Sequence, residues 1–217
     1  MKQANELLDK VGLTKKDAEG YRLRTDGKGR LRLELVTVGG QFVPYTPVGE
    51  MIKQQWRKIG IDLDVKELER SLAFTRDNNN ENQMMTWAND GSEMIYLFPR
   101  HALPVDAAEA HMGTAYAKWY ASRGAAGKKP DDPEMLRAMD LFREAFGASE
   151  EKRVANAKEI WRIAVEQMWS IGTVGQSPAV MGVRIVKNNM GNVPDRTVNA
   201  QHARTPHSSM PVTYYFK

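Results

Sequence analysis

The residues best suited to chemistry are Trp87 and Asp90, which follow the apolar pair Met84-Met85. An indole ring presents a flat apolar face to planar groups and to sugar rings. A carboxylate in a partly dry cleft favours an ammonium group through charge-assisted hydrogen bonds. Open α/β sheets bind ligands outside the carboxyl ends of their strands, so a strand ending at Trp87 predicts a ligand site. From the residues alone, a core role for Trp87 and a turn-forming role for Asp90 are the stronger interpretation.

Patterns typical of catalysis or cofactor binding are missing from the sequence. Because the chain has no cysteine, disulfides, thiolate metal sites and cysteine nucleophiles are excluded. The histidines do not have the spacing of two ligands on one helix face; they are His101, His111, His202 and His207. There is no Gly-x-Ser-x-Gly motif, and Gly27-Lys28-Gly29 lacks the strand and helix context of a phosphate loop. We therefore predict that the protein is not an enzyme and uses no cofactor.

Asp62 and Asp64 leave one enzymatic alternative open. They alternate with Ile61, Leu63 and Val65, which is the periodicity of a β-strand. Every second residue of such a strand is polar, so we expect a solvated strand face rather than a catalytic pair. A hydrolase that uses Asp62 or Asp64 is the second hypothesis.

The elements that must position Trp87 form a predicted β-α-β unit. Residues 31–38 alternate as a strand, and residues 47–59 place apolar side chains on one helical face. Thr46 is expected to cap this helix, and Gly60 to end it in the left-handed conformation. Residues 61–65 form the second strand, which we expect to be parallel to the first. A short helix over 69–76, a solvated loop over 77–82 and a third strand over 83–87 complete the prediction.

The remainder of the chain is predicted to be mainly helical. Helices are expected over 106–123, after the cap at Asp132, and after the cap at Ser149. The last two are joined by a short link and should pack as an antiparallel pair. One or two strands are expected within 174–186, and the apolar end Tyr214-Tyr215-Phe216 has no evident partner.

Composition sets limits on the class of protein. The chain has 217 residues, with 41% hydrophobic and 27% charged residues, which is typical of a globular fold. Its net charge of +4 is scattered along the chain, so we expect no nucleic-acid partner. No apolar run reaches the roughly 20 residues of a membrane helix. The first eight residues suggest an amphipathic helix, so we expect that no signal peptide is present.

These segments also resemble a known family in their order and spacing. The quoted elements are the opening Asp26-Gly27-Lys28-Gly29, the run Lys58-Ile59-Gly60-Ile61-Asp62-Leu63-Asp64-Val65, and Trp87-Ala88-Asn89-Asp90. Together they resemble the second lobe of the family 5 extracellular solute-binding proteins, the peptide-type receptors of bacterial ABC importers. Residues 169–175 and 187–194 resemble a longer branch of this family, in which some relatives take oligosaccharides.

The resemblance implies an α/β fold: a periplasmic-binding-protein-like lobe with a mixed, mostly parallel sheet flanked by helices. It implies a lobe over residues 1–194 and a tail over 195–217 that returns to a first lobe missing from this sequence. The implied substrate-binding residues are Trp87, Asn89, Asp90 and, near the cleft, Arg76. Asp90 would receive the amino terminus of a peptide, although Asn89-Asp90-Gly91-Ser92-Glu93-Met94 lacks the acidic-Pro dipeptide usual in the family.

The resemblance also implies partners and a compartment. The ligand would be a small peptide or an oligosaccharide, bound between two lobes whose closure is recognised by the ABC permease subunits of the membrane. The full-length receptor would be periplasmic or extracellular and associated with the membrane. A stand-alone interaction domain is the third hypothesis, which stable dimerisation in solution would favour.

Overall fold

The computed structural model describes residues 1–40, 43–89, 94–173, 186–195 and 210–217. The chain divides into two compact units, Met1–Ala88 and Asn89–Lys217. The helices and strands of the first unit are α1 (Lys2–Lys10), β1 (Arg32–Val38), α2 (Tyr45–Arg57), β2 (Asp62–Leu68), α3 (Arg70–Asn78) and β3 (Met84–Met85). Those of the second unit are α4 (Thr114–Ala121), α5 (Pro133–Glu144), α6 (Glu150–Gln167), β4 (Met190–Gly191) and β5 (Tyr215–Phe216), with short 3-10 turns at Pro99–His101 and Pro211–Thr213.

A parallel three-stranded sheet organises the first unit. β1 pairs with β2 along its whole length, from Arg32 opposite Asp62 to Val38 opposite Leu68. β3 pairs in parallel with the other edge of β1, which gives the strand order β2-β1-β3. The predicted β-α-β unit is therefore confirmed. The third strand is shorter than the predicted 83–87, because only Met84 and Met85 have ladder partners.

The helices α2 and α3 cover opposite faces of this sheet. The backbone of α2 at Gly49 comes so close to Thr37 and Val65 that an added Cβ would lie 3.1 and 3.0 Å from their side chains. The alternate residues Val36 and Val38 are buried with Ala73 of α3. Because successive side chains of a strand point to opposite faces, the two helices enclose the strands from both sides.

The predicted cap at Thr46 is wrong. The helix α2 begins at Tyr45 after Pro44 and has no side-chain cap. Thr46 is its second residue, and its hydroxyl donates a hydrogen bond to Glu67 instead. Pro47 occupies the third position, where a helix also needs no N–H donor. The left-handed stop at Gly60 is confirmed by its φ of 85°.

Arg22 attaches the first helix to the β-α-β unit. Its side chain is 1% exposed and donates to Ile59 O at 2.8 Å, to Asn5 Oδ1 at 2.7 Å and to Asp9 Oδ1 at 2.5 Å. It also donates to the carbonyl of Leu13. A planar guanidinium can satisfy several acceptors at once, which explains why a charged residue is buried here.

Two predictions about polar segments are wrong. Asp62 is buried rather than solvated, because Arg30 and Arg32 reach its carboxylate at 3.5 and 3.3 Å. The predicted loop over 77–82 begins inside α3, since this helix extends to Asn78 and buries Asp77. The helix predicted over 106–123 is limited to Thr114–Ala121.

The second unit contains the predicted pair of long helices. The side chains of Asp132 and Ser149 cap α5 and α6, as predicted. The buried Asn156 of α6 donates to Leu141 O of α5 at 2.9 Å, while Arg137 reaches Glu159, so the two helices run antiparallel. The fully buried residues of this core include Leu103, Met139, Ile160 and Ile163.

The end of the chain has a partner in the second unit. Tyr215 and Phe216 form an antiparallel pair with Gly191 and Met190, and the Tyr215 ring occupies the space that a side chain at Gly191 would fill. The expectation that this end lacks a partner is therefore wrong. Of the strands predicted within 174–186, residues 174–185 lie outside the described residues. Within the described residues, no helix is both long and apolar enough to cross a membrane.

Candidate functional site

Trp87 lies at the carboxyl ends of the parallel strands. The amide of Thr86 donates to Val36 O at 3.0 Å, which extends the pairing of the third strand toward the end of β1. The indole then packs against the cluster that contains Val38. The structure thus places Trp87 at the predicted edge of the sheet, the edge where open α/β sheets bind ligands.

The indole of Trp87 is held by two further aromatic rings. Its centroid lies 5.7 Å from that of Tyr45, with 23° between the planes, and 5.0 Å from that of Phe74, at 85°. Stacked and edge-to-face arrangements at these distances are the favourable ones for aromatic pairs. Trp87 is only half-buried. It therefore contributes to the core and also keeps part of its surface accessible at the edge.

Arg70, the first residue of α3, adds a positive charge to this aromatic group. Its guanidinium carbon lies 5.6 Å from the Trp87 ring centroid and 5.4 Å from that of Phe74. A guanidinium over an aromatic face is attracted by the ring quadrupole. Tyr45, Phe74 and Arg70 were not predicted from the sequence. Tyr45 and Arg70 begin α2 and α3, and Phe74 lies one helical turn after Arg70. The starts of these two helices were therefore the signal in the sequence that pointed to the three residues.

The other predicted residues of the motif lie beyond the first unit. Asn89 is exposed and is the first residue of the second unit. Asp90 lies outside the described residues. Both therefore remain predictions from the sequence.

Arg76 is not brought together with Trp87. It lies six residues after Arg70 in α3, roughly 9 Å farther along the helix axis. Its guanidinium donates to Glu34 Oε1 at 2.7 Å, and Glu34 is near the amino end of β1. The Lys66 ammonium also binds Glu34. The hydrogen bond from Lys66, together with that from Arg76, lowers the pKa of the Glu34 carboxyl. Arg76 has a structural partner at the opposite end of the sheet from Trp87.

Glu67 is a polar residue of the carboxyl edge that was not predicted. It lies near the end of β2 and lines a cavity of about 300 Å³ formed with the turn after β1 and the start of α2. No pattern in the sequence marks it, because its position opposite Thr37 is known only from the strand register of the structure. Its described lining residues all belong to the first unit.

Asp62 and Asp64 do not form a catalytic pair at this edge. Asp62 is the first residue of β2 and is paired with arginines, while Asp64 lies 4.0 Å from the Lys66 ammonium. Both lie toward the amino ends of the strands. Among the described residues, no group of three histidine, aspartate or glutamate side chains is placed to hold a metal ion.

Comparison with known proteins finds a family match for the first part of the chain. Residues 1–98 match the model of the bacterial extracellular solute-binding proteins, family 5 Middle. No curated protein matches the chain. A structure of the oligopeptide-binding protein OppA is similar over 100% of the chain, with a TM-score of 0.76 and 28% identity. The chain spans 35% of that OppA chain.

Two further structures share the fold at lower identity. The periplasmic binding protein MelB from Agrobacterium fabrum, in complex with stachyose, is similar over 78% of this chain and 25% of its own, with a TM-score of 0.64 and 16% identity. NikA from Brucella suis, in complex with Fe(III)-EDTA, is similar over 75% of this chain and 30% of its own, with a TM-score of 0.51 and 22% identity. The predicted periplasmic-binding-protein-like α/β fold is confirmed by these likenesses. The predicted resemblance to the bacterial extracellular solute-binding proteins, family 5, is therefore confirmed over residues 1–98, and the whole chain is similar to the oligopeptide-binding protein OppA.

Proposed function

We propose that the chain is part of the substrate-binding component of a bacterial ABC importer that binds peptides and delivers them to the permease. The observation that carries the proposal is the position of Trp87: half-buried in an aromatic group at the carboxyl ends of parallel strands. The family of residues 1–98 and the likeness to an oligopeptide-binding protein support it. In this role the protein binds and releases its ligand without chemical change.

The proposed ligand contacts divide between the aromatic ring and the acid. Trp87 offers an apolar face to a side chain or to a peptide plane. Asn89 and Asp90, two and three residues farther along the chain, supply polar groups, and Asp90 receives the amino terminus of the peptide. We propose that a further lobe completes the binding cleft and that its closure is what the permease recognises. The receptor then works outside the cytoplasmic membrane, in the periplasm or at the cell surface.

An oligosaccharide is the second candidate ligand. An indole face also stacks on sugar rings, and MelB, which shares the fold, is in complex with stachyose. The two candidate ligands differ in charge, since the amino terminus of a peptide is positively charged and an oligosaccharide such as stachyose is neutral. A peptide amino terminus requires a carboxylate partner, whereas a neutral sugar does not.

Saturation-transfer NMR tests the proposal, since it detects weak ligands. The ligands are trialanine, N-acetyl-trialanine and stachyose, each with the wild-type chain and with Asp90→Asn. We expect transfer to trialanine and a loss of at least severalfold on acetylation or on Asp90→Asn. Transfer to stachyose alone, unaffected by Asp90→Asn, favours the sugar candidate. Equal transfer to both peptides contradicts the proposed role of Asp90.

A further inference from the structure

The cavity beside Glu67 combines apolar walls with the carboxylate of that residue. It lies between the turn Gly39-Gly40, the start of α2 and the end of β2, and measures about 300 Å³. Val38 and Val43 contribute apolar surface, and Glu67 contributes the acid. This combination suits an aliphatic stem that ends in a positive charge, such as the side chain of lysine or arginine.

A relay of two hydroxyl groups fixes the position of the carboxylate. The Thr46 hydroxyl donates to Glu67 Oε2, and Thr46 Oγ1 lies 2.8 Å from Thr37 Oγ1. Because Thr46 has a single hydroxyl proton, Thr37 must donate to Thr46. Thr37 is fully buried, with 0% exposure, so the relay begins in the core. The carboxylate is thus held in place as an acceptor.

Gly39 leaves room for the second carboxylate oxygen. A Cβ built at Gly39 would lie 2.8 Å from Glu67 Oε1 and 3.1 Å from its carboxyl carbon. Any side chain at this position would push the carboxylate away from the turn. The backbone of Gly39 carries no unusual φ, so alanine is tolerated conformationally and acts on Glu67 alone.

Among the described residues, no lysine or arginine forms an ion pair with Glu67, whereas Glu34 on the same sheet binds both Lys66 and Arg76. An ionised carboxylate has about four acceptor sites, and Thr46 uses one of them. The remaining sites can accept from an ammonium or a guanidinium group.

We propose that Glu67, positioned by Thr46 and Gly39, is a cation-binding subsite that receives the ammonium or guanidinium group of a basic ligand side chain. The identity of this ligand as a peptide rests on the proposed function, but the affinity of the cavity for a cation does not. The carboxylate of this subsite is Glu67, whereas the acid predicted from the sequence to bind the peptide amino terminus is Asp90. It gives the receptor a preference for peptides that carry lysine or arginine.

The cation site is tested first with a probe that is not a peptide. The ¹⁵N-labelled chain is titrated with butylammonium and with butanol, which has the same stem without the charge. We expect butylammonium to shift the amide signals of Gly39, Gly40 and Thr46, and butanol to leave them unchanged. Glu67→Gln should abolish the response, and Gly39→Ala, which retains the acid, should weaken it severalfold. Asp64→Asn removes the same charge from β2 outside the cavity and should have no effect.

Peptides then test the ligand class. The binding affinity of the chain for Ala-Lys-Ala is compared with that for Ala-norleucine-Ala. Because a charged hydrogen bond forms only with lysine, we expect a roughly tenfold preference for the lysine peptide. Glu67→Gln should remove the preference while the norleucine peptide still binds. A butanol response equal to that of butylammonium, or a cation response that survives Glu67→Gln, overturns the subsite. If butylammonium binds but neither peptide does, the subsite stands and the proposed peptide function fails.

Discussion

The indole of Trp87 stacks on the ring of Tyr45, with 5.7 Å between the ring centroids and 23° between their planes. This contact joins the chain after the third strand to the first residue of α2. Both segments lie at the carboxyl edge of the sheet, so the contact fixes the position of the aromatic surface relative to the cavity beside Glu67. The same contact makes Trp87 important for stability as well as for the proposed binding.

Truncation of Trp87 in the variant Trp87→Ala should destabilise the first unit. Removal of a fully buried Trp costs about 3–5 kcal/mol, and a half-buried ring should cost less, about 2 kcal/mol. Trp87→Phe keeps a ring beside Tyr45 and Phe74 and should cost less than about 1 kcal/mol. Urea denaturation followed by circular dichroism compares the two variants. Equal losses would mean that the ring contacts do not hold this edge together.

Replacement of the buried Arg22 should have a larger effect than that of an exposed arginine. Arg22→Met leaves the carbonyls of Leu13 and Ile59 without this donor, and we expect a loss of about 3 kcal/mol. Arg24→Met is the matched control, because Arg24 and its partner Asp26 are 45% and 40% exposed. The control should cost less than about 1 kcal/mol. Similar unfolding free energies for the two variants would contradict the structural role of Arg22.

The ion pairs of Glu34 should make stability depend on pH in the acid range. Lys66 and Arg76 lower the pKa of Glu34 from its ordinary 4.5, so the folded state binds this proton less readily than the unfolded state. The resulting stability is present above pH 4.5 and is lost as the pH falls through the lower folded pKa. Glu34→Gln should therefore be less stable than the wild type at pH 7, and this difference should shrink below pH 4.5.

Thermal unfolding of both proteins from pH 7 to pH 3 measures this difference. Glu6→Gln serves as the control, since Glu6 is on the exposed face of α1 and lies 4.0 Å from Lys2. The control should follow the wild type at every pH. The difference in stability between Glu34→Gln and the wild type could instead stay constant or grow as the pH falls. That result would contradict the link between stability and protonation of Glu34.

The sheet was predictable because apolar and polar residues alternate in both β1 and β2, and because Gly60 marks the end of the helix between them. A strand, a helix and a strand in this order predicted a β-α-β unit with parallel strands, and the structure contains this unit. The start of α2 was mispredicted because the Thr46 hydroxyl has two possible roles. As a cap it would accept a hydrogen bond from a backbone amide of its own helix, but in the structure it donates to Glu67 on the neighbouring strand. Only the packing of α2 on the sheet brings these two side chains together, and a local pattern does not contain that information.

The candidate site was predictable at Trp87 and not at its neighbours. The position after a strand identified Trp87, since strand ends share one edge of a parallel sheet. Tyr45 and Phe74 reach the indole from two helices that are distant in sequence. Arg76 shares a helix with Arg70, yet its six-residue offset places it beside Glu34. The family resemblance predicted that Arg76 lies near the cleft. The length of helix between Arg70 and Arg76 instead places it away from the carboxyl edge.

The most direct test of ligand binding at the carboxyl edge is ¹⁹F NMR of the chain labelled with fluorotryptophan. The chain contains five tryptophans, and Trp87→Phe identifies the signal of Trp87. On titration with a tripeptide that has a free amino terminus, we expect the Trp87 signal to shift, while those of Trp56, Trp119, Trp161 and Trp169 stay in place. A response at one of those four with Trp87 unchanged, or no response at millimolar peptide, would rule out peptide binding at this edge.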